Sequence, residues 1–339
     1  MLDLTRLRRE LRDLGRELWE ASRVKRIAIA SHPSADPDSI SSALSISLIA
    51  LRSSGKPACF ITEGGLDLIS KPLFQSMVSK GYIEECPGRV GNDIWVLVLV
   101  DTPSCSRSPV ECGAFRDIYI IDHHISPEQS PGARGIIEGG ASSTTELCTL
   151  MLEELSIEIG SSDAANTILA GILYDTRSLS IASLAAIEAT RFLMMQGARI
   201  QDALRLIKRP LEISERIARL KSMSRLTVYR SGDNILVCIT HVGAYEASSA
   251  QVLMGAGCDI ALVLSEKEDL VRVVARCSEE VCREIGLGEL VLGELAEIYG
   301  GGWGGHKLAA VASLKATLDD VLKTIPRILE KRLGRLSPI

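Results

Sequence analysis

The chain has 339 residues with 38 basic and 43 acidic side chains, a formal net charge of −5. Hydrophobic residues make up 46% of the chain, which excludes a globally disordered protein. The acidic charge and an aromatic content of only 4% argue against a nucleic-acid coat or a membrane-surface protein, although not against a small basic pocket. A single core rarely extends beyond about 250–300 residues, so we expect two domains.

We expect a cytoplasmic protein with no membrane segment. Residues 1–22 are charged throughout and lack the apolar stretch of a signal peptide. The longest strongly apolar run, residues 94–100, is far shorter than the ~20 residues that a membrane helix needs. The nine cysteines form no CxxC pair, and their odd number predicts reduced thiols and no zinc site.

In the first part of the chain, predicted strands alternate with helices. The predicted helices cover residues 2–22, 39–52, 143–155 and 164–173, and the predicted strands cover residues 26–31, 56–62, 94–100 and 117–121. This alternation predicts the α/β class with a doubly wound, mainly parallel sheet. Ligands of such sheets bind at the carboxyl ends of the strands.

A helix-rich segment around Arg209-Pro210 separates this part from a second, smaller α/β domain. We predict a first domain over residues 1–204, a helical connector over 205–225, a second domain over 226–325 and a tail over 326–339. Strands are predicted at residues 235–240, 260–265 and 270–275. Residues 300–306, Gly-Gly-Gly-Trp-Gly-Gly-His, are predicted to form a glycine loop, with a helix beginning at Lys307 that would help bind phosphate.

Acidic residues and histidines follow three of the predicted strands in the first domain. They are His32, Asp36 and Asp38, then Asp101, then Asp122, His123 and His124, and Asp175 ends the helix predicted over 164–173. The three strand ends should converge on one edge of the sheet. Four of the carboxylates carry a summed charge of −4, which two divalent cations would neutralise. Donors without thiolate favour Mn²⁺ or Mg²⁺, and two such ions about 3.5–4 Å apart can activate water for phosphoryl transfer.

Asp122-His123-His124 after an apolar strand resembles the signature of the DHH phosphoesterase superfamily. Further similar motifs are His32-x3-Asp36-x-Asp38, Val100-Asp101-Thr102, GGASSTTEL at residues 139–147 and GILYDT at residues 171–176. Residues 301–310, with Gly-Gly-x-Gly-Gly-His-x-x-Ala-Ala, resemble the glycine-rich motif of the associated DHHA1 domain. The chain departs from these motifs at Ser41, Arg177 and Val311, where the family usually has glycine.

The resemblance implies a role for each motif residue. One ion would be held by His32, Asp36 and Asp101, and the other by Asp38, Asp101, His123 and Asp175, with Asp101 bridging. His124 would contact the phosphate and assist proton transfer, whereas Asp122 would orient His123 from outside the ligand set. The substrate would be bound across a cleft by residues of the second domain, namely Arg276, Gly304, Gly305 and His306.

The resemblance implies a metal-dependent phosphoesterase with two divalent ions, Mn²⁺ in preference to Mg²⁺, and a short single-stranded oligonucleotide or small nucleotide as substrate. The compact chain is most similar to oligoribonucleases that degrade very short RNA and often dephosphorylate 3′-phosphoadenosine 5′-phosphate. A cyclic-di-AMP phosphodiesterase and a RecJ-like single-strand exonuclease remain alternatives, and a non-catalytic replication scaffold is the least favoured one. The oligomeric state is open, a homodimer being one alternative.

Overall fold

The computed structural model describes residues 2–86, 90, 92–126, 130–209, 211–268 and 270–339, with the backbone alone for 92–94. The chain divides into two compact units, Met1–Arg209 and residues 210–339. Pro210, in the predicted connector, lies outside the described residues. Each unit has its own sheet and its own hydrophobic core.

The first unit is built on a six-stranded parallel sheet. Its strands are β1 (Arg26–Ala30), β2 (Cys59–Phe60), β3 (Glu84–Glu85), β4 (Asn92–Val100), β5 (Phe115–Asp122) and β6 (Arg134–Ile137). They lie in the order β3-β2-β1-β4-β5-β6. Because the order reverses between β1 and β4, the carboxyl ends of these two strands form the topological switch point where α/β sheets bind ligands.

Helices cover both faces of this sheet, so the predicted fold class is confirmed. The α-helices are α1 (Leu4–Val24), α2 (Pro37–Ser54), α3 (Ser70–Ser79), α4 (Thr144–Glu154), α5 (Ser162–Asp175), α6 (Leu184–Met195) and α7 (Ile200–Ile207). They share one core with alternate residues of the sheet, while two short 3₁₀ helices at Cys105–Arg107 and Cys112–Ala114 pack on the opposite face. In α2, every residue from Pro37 to Ala50 is buried.

The strand predicted over residues 56–62 is shorter than expected. Only Cys59 and Phe60 belong to β2. Pro57 has no N–H to donate, and the Ala58 N–H donates to the Ser47 hydroxyl at 2.9 Å instead of to a neighbouring strand. Local hydrogen bonding therefore delays the start of the strand.

The second unit contains a seven-stranded mixed sheet. Its strands are β7 (Thr227–Arg230), β8 (Leu236–His241), β9 (Ile260–Lys267), β10 (Leu270–Cys277), β11 (Gly301–His306), β12 (Ala309–Leu314) and β13 (Ser337–Pro338). They lie in the order β11-β12-β10-β9-β8-β7-β13. The helices are α8 (Ile213–Ser224), α9 (Glu246–Gly255), α10 (Glu279–Cys282), α11 (Gly293–Tyr299) and α12 (Leu318–Leu333), with a π-helical turn at Gly288–Leu292.

The predictions of a glycine loop and of a helix beginning at Lys307 are wrong. β11 and β12 form an antiparallel hairpin at the edge of the sheet. The alanines of β12 suit a helix, but pairing with β10 decides their conformation. Gly305 has φ +138°, and a Cβ there would lie 2.5 Å from the Ala309 carbonyl oxygen, so the hairpin itself requires this glycine.

The prediction of reduced thiols is also wrong. All nine cysteines lie in the described part of the chain, and eight of them form the pairs Cys59–Cys86, Cys105–Cys112, Cys238–Cys258 and Cys277–Cys282. Cys148 is free and buried in the core. The partners are 5 to 27 residues apart in sequence, and the folded strands and loops bring their Cα atoms to between 4.8 and 6.1 Å. This proximity is a tertiary property that cysteine spacing does not reveal.

Candidate metal centre

The predicted ligands lie together at the carboxyl edge of the first sheet. β1 pairs in parallel with β4, and β4 pairs in parallel with β5, so the segments that follow them begin side by side. Three groups of side chains offer ligand atoms within 4.8 Å of one another. They are His32, Asp36 and Asp101; Asp38, His123 and Asp175; and Asp101, Asp122, His123 and His124.

The start of α2 positions two of the carboxylates. Asp36 caps the helix, and its Oδ1 accepts a hydrogen bond from the Ser39 N–H at 3.1 Å. Asp38 lies two residues further on and is fully buried. Its oxygens accept hydrogen bonds from the N–H groups of Thr144 at 2.7 Å and Thr145 at 2.9 Å, the first two residues of α4. The positive end of α4 therefore stabilises the Asp38 carboxylate.

Asp101 is the central carboxylate and has an unusual backbone. Its φ is +55°, in the left-handed region that aspartate tolerates better than most residues. Oδ2 accepts a hydrogen bond from the Ser39 hydroxyl at 2.7 Å and lies 3.3 Å from Nε2 of His32. Oδ1 lies 3.7 Å from Nε2 of His123. This carboxylate thus faces ligand groups on both of its sides.

The two adjacent histidines have different environments. The Asp122 Oδ1 accepts hydrogen bonds from the His123 backbone N–H at 2.8 Å and from Nδ1 of His124 at 2.9 Å. Asp122 therefore holds the backbone of His123, as expected of a residue that orients it, and in addition orients the ring of His124. Nε2 of His123 lies 3.4 Å from Oδ2 of Asp175 in a largely buried position, whereas the His124 side chain is 52% exposed. His124 is accordingly the histidine that solvent or substrate can reach.

The electrostatics of the site fit bound cations. Burial and the nearby charge of Asp101 raise the pKa of Asp36 to about 6, and the same two causes raise the pKa of the buried Asp38 well above its usual range. The hydrogen bond to Asp101 raises the pKa of His32 to about 9. Crowded carboxylates that resist ionisation are stabilised when a cation lies between them.

Two buried polar atoms support the same conclusion. Within the described residues, Oδ2 of Asp122 and Nε2 of His123 have no hydrogen-bond partner. Buried polar atoms are normally satisfied, so an unpaired carboxylate oxygen and imidazole nitrogen in one cluster suit a metal ion. None of the three ligand groups contains a cysteine, which favours a hard or borderline divalent ion.

Two hydroxyl groups at this centre were not among the predicted site residues. Ser39 donates to Asp101 and has its oxygen 3.1 Å from Nε2 of His32, so it links two predicted ligands. The Thr144 hydroxyl lies 3.4 Å from both Asp101 and Asp122. The motif residues 139–147 pointed to Thr144, and Ser39 lies one position beyond Asp38, but neither spacing revealed these contacts.

The predicted substrate-binding residues of the second unit lie on neighbouring strands. Arg276 on β10 and His306 on β11 are both in register with Ala309 on β12, so all three share one face of the sheet. Gly304 shares this face, whereas Gly305 belongs to the opposite one. Nε of Arg276 is buried and has no hydrogen-bond partner among the described atoms. Because β12 is a strand, no helix dipole acts at His306.

Fold and site together define an α/β protein with a carboxylate and histidine centre at a topological switch point. Residues 26–174 match the family model described as DHH family, N-terminal domain, so the first unit carries a DHH domain. The predicted resemblance is thereby confirmed, and with it the class of metal-dependent phosphoesterases. The oligoribonuclease subgroup and the DHHA1 character of the second unit stay predictions.

Two further comparisons cover nearly the whole chain. An uncharacterized protein of Methanocaldococcus jannaschii is 28% identical over 332 residues, which are 93% of this chain and 96% of that protein. The crystal structure of an exopolyphosphatase-related protein from Bacteroides fragilis has a TM-score of 0.53 at 19% identity and covers 95% of this chain and 96% of that chain. At this identity the second likeness shows the fold alone. In the described residues, no helix is both long and apolar enough to cross a membrane.

Proposed function

We propose that the chain is a Mn²⁺-dependent enzyme that hydrolyses phosphate ester bonds of short oligonucleotides or small nucleotides. The observation that carries this proposal is the position of Asp101, whose Oδ2 lies 3.3 Å from Nε2 of His32 and whose Oδ1 lies 3.7 Å from Nε2 of His123. One ion would be held by the group of His32, Asp36 and Asp101, and the other by the group of Asp38, His123 and Asp175 together with Asp101. Imidazole and carboxylate donors without thiolate favour Mn²⁺, with Mg²⁺ as the alternative ion.

When bound, the two ions would lower the pKa of a water molecule and neutralise charge on the phosphoryl oxygens. Proton transfer and the positioning of the ligands are assigned to side chains of the protein itself. The Asp122 carboxylate keeps a proton on Nδ1 of His124 and fixes the direction of its ring. Nε2 of the half-exposed His124 can then donate a proton to the oxygen of the leaving group. Ser39 and Thr144 hold the carboxylates in place.

The second unit supports the choice of a nucleotide substrate. Arg276 and His306 are two strands apart on one face of the sheet, separated by the small side chain of Ala309. A guanidinium group is suited to binding a phosphate through two hydrogen bonds. We assign to these residues, with Gly304 and Gly305 of the same hairpin, the binding of the substrate beyond the scissile phosphate.

A substrate panel tests this function. Wild-type protein with Mn²⁺ should hydrolyse short RNA or 3′-phosphoadenosine 5′-phosphate faster than short DNA, cyclic-di-AMP or inorganic polyphosphate. Asp101→Asn is the matched control, because asparagine keeps the shape of the side chain and tolerates the left-handed backbone. Preference for cyclic-di-AMP would move the assignment to a cyclic dinucleotide phosphodiesterase. Failure to hydrolyse any phosphate ester, or hydrolysis that persists in excess chelator, would refute the proposal.

A further inference from the structure

One face of the second sheet has an uncovered strip along its edge. Ala309, Val311 and Ser313 of β12 point to this face together with alternate residues of β11, which begin with His306 and continue with Gly304 and Gly302. All six residues are exposed or only partly buried. Because two of them are glycines and carry no side chain, a bound ligand can approach the backbone of the strip closely.

The strip has a wall on one side only. On the next strand inward, Val274 of β10 is in register with Val311, and it is buried in a small core that includes Ala250 and Leu253 of α9. On the other side, β11 is the edge of the sheet. The strip is therefore a shelf that runs parallel to the strands, with α9 along its inner side and solvent along its outer side.

A cationic side chain lies at each end of this shelf. Arg276 is in register with Ala309 at one end, and Arg272 is in register with Ser313 at the other. The two arginines share the face because they are four residues apart on one strand, which places their Cα atoms about 13 Å apart. Arg272 is exposed and forms no ion pair or side-chain hydrogen bond with the described residues.

We propose that Arg272 binds a second phosphate of the substrate and so makes the second unit selective for chain length. The inference rests on the proposed function. A single phosphate fills one end of the shelf, whereas two phosphates of one oligonucleotide can fill both ends at once. Arg276 and His306 would hold one phosphate, Arg272 the other, and the glycines of β11 would leave room for the sugars between them. Only an oligonucleotide longer than a dinucleotide uses the full shelf.

The test compares RNA of two and five nucleotides. For Arg272→Ala, the ratio of kcat/KM on the five-nucleotide RNA to that on the dinucleotide should fall by about 5–20-fold, as for loss of one partly screened charged hydrogen bond. Arg276→Ala should lower kcat/KM on both substrates. The matched control is Arg327→Ala, which removes an exposed arginine from α12 and should leave the ratio at its wild-type value.

Salt dependence provides a second readout. If Arg272 contacts a phosphate, Arg272→Ala should reduce the slope of log KM against log salt by about 0.7 for the five-nucleotide RNA. An unchanged ratio with an unchanged slope overturns the inference while the proposed function stands. If the wild-type protein cleaves neither RNA, the oligonucleotide part of the proposed function fails. Fluorescence anisotropy of a labelled five-nucleotide RNA in chelator then decides the role of Arg272 alone. Equal binding by wild type and Arg272→Ala in that assay overturns the inference.

Discussion

Replacing the two adjacent histidines one at a time should produce two different defects. His123 has its Nε2 3.4 Å from Asp175 and 3.7 Å from Asp101, in a largely buried position between two candidate ligand groups. His124 has a half-exposed ring and one hydrogen bond, to Asp122. We therefore expect His123→Ala to lose metal and His124→Ala to keep it.

The structure sets the size of each effect. Removing His124 leaves Asp122 with the hydrogen bond from the His123 backbone, so the free energy of unfolding should fall by only about 1 kcal/mol. Loss of a general acid should lower kcat by about 10²–10⁴-fold. Removing His123 deletes a candidate ligand, and metal affinity should fall by more than the roughly 10–100-fold seen when a ligand's hydrogen-bond partner is lost.

The assay is metal content of both purified variants by mass spectrometry, followed by kcat over a range of Mn²⁺ concentrations. Added Mn²⁺ should restore part of the activity of His123→Ala and none of that of His124→Ala. Asp122→Asn provides a matched variant, since it alters the hydrogen bond that orients Nδ1 of His124 while the asparagine oxygen can still accept from the His123 backbone N–H. Equal metal loss in the two histidine variants would show that the roles are assigned wrongly.

Three further predictions concern the central carboxylate, a disulfide and a buried acid. Asp101→Asn and Asp101→Ala should both abolish hydrolysis. Only the alanine variant should also lose about 1 kcal/mol of stability, because φ is +55° at this position and asparagine tolerates the left-handed backbone better than alanine does. Urea unfolding in chelator distinguishes the two variants. Cys59→Ser opens a cross-link between residues 27 apart and should lower the free energy of unfolding by about 3.5 kcal/mol. Denaturant titration under oxidising conditions measures this loss, and an unchanged midpoint would argue against the Cys59–Cys86 bond. Burial raises the pKa of Glu146, so stability should fall as the pH rises above its usual value of 4.5, and Glu146→Gln should remove this fall in unfolding curves taken between pH 4 and 7.

The first-unit site was predictable because its geometry follows from topology. Residues at the ends of neighbouring parallel strands must meet, so the positions of His32, Asp101 and His123 followed from the strand pattern alone. The partner of Asp122 was not predictable, because it depends on how a three-residue segment turns after β5. The left-handed φ of Asp101 was not predictable either, because it depends on how the chain turns after β4.

The second unit shows where local pattern fails. Residues 309–314 are rich in alanine and suit a helix, yet Ala310, Ala312 and Leu314 are buried at alternate positions, which is the period of a strand. The four glycines in residues 301–305 carry no hydrophobic pattern, so only their pairing with β12 reveals β11. The disulfides likewise depend on which strands lie side by side, and this is fixed by the whole chain.

The departure at Ser41 shows how the fold accommodates the site. Ser41 lies on α2, one turn after Asp38, and faces Gly171 of α5, where a Cβ would lie 2.5 Å from the Ser41 Cβ. The Ser41 hydroxyl donates to the Thr167 carbonyl at 2.7 Å, which satisfies its polar group in the buried contact. Because Gly171 supplies the space, α2 and α5 still approach closely with serine at position 41. Asp175 lies one turn after Gly171, so this close contact brings it to the group formed with Asp38 and His123. The small residue that the helix contact requires is therefore provided by α5, and the departure leaves the ligand geometry intact.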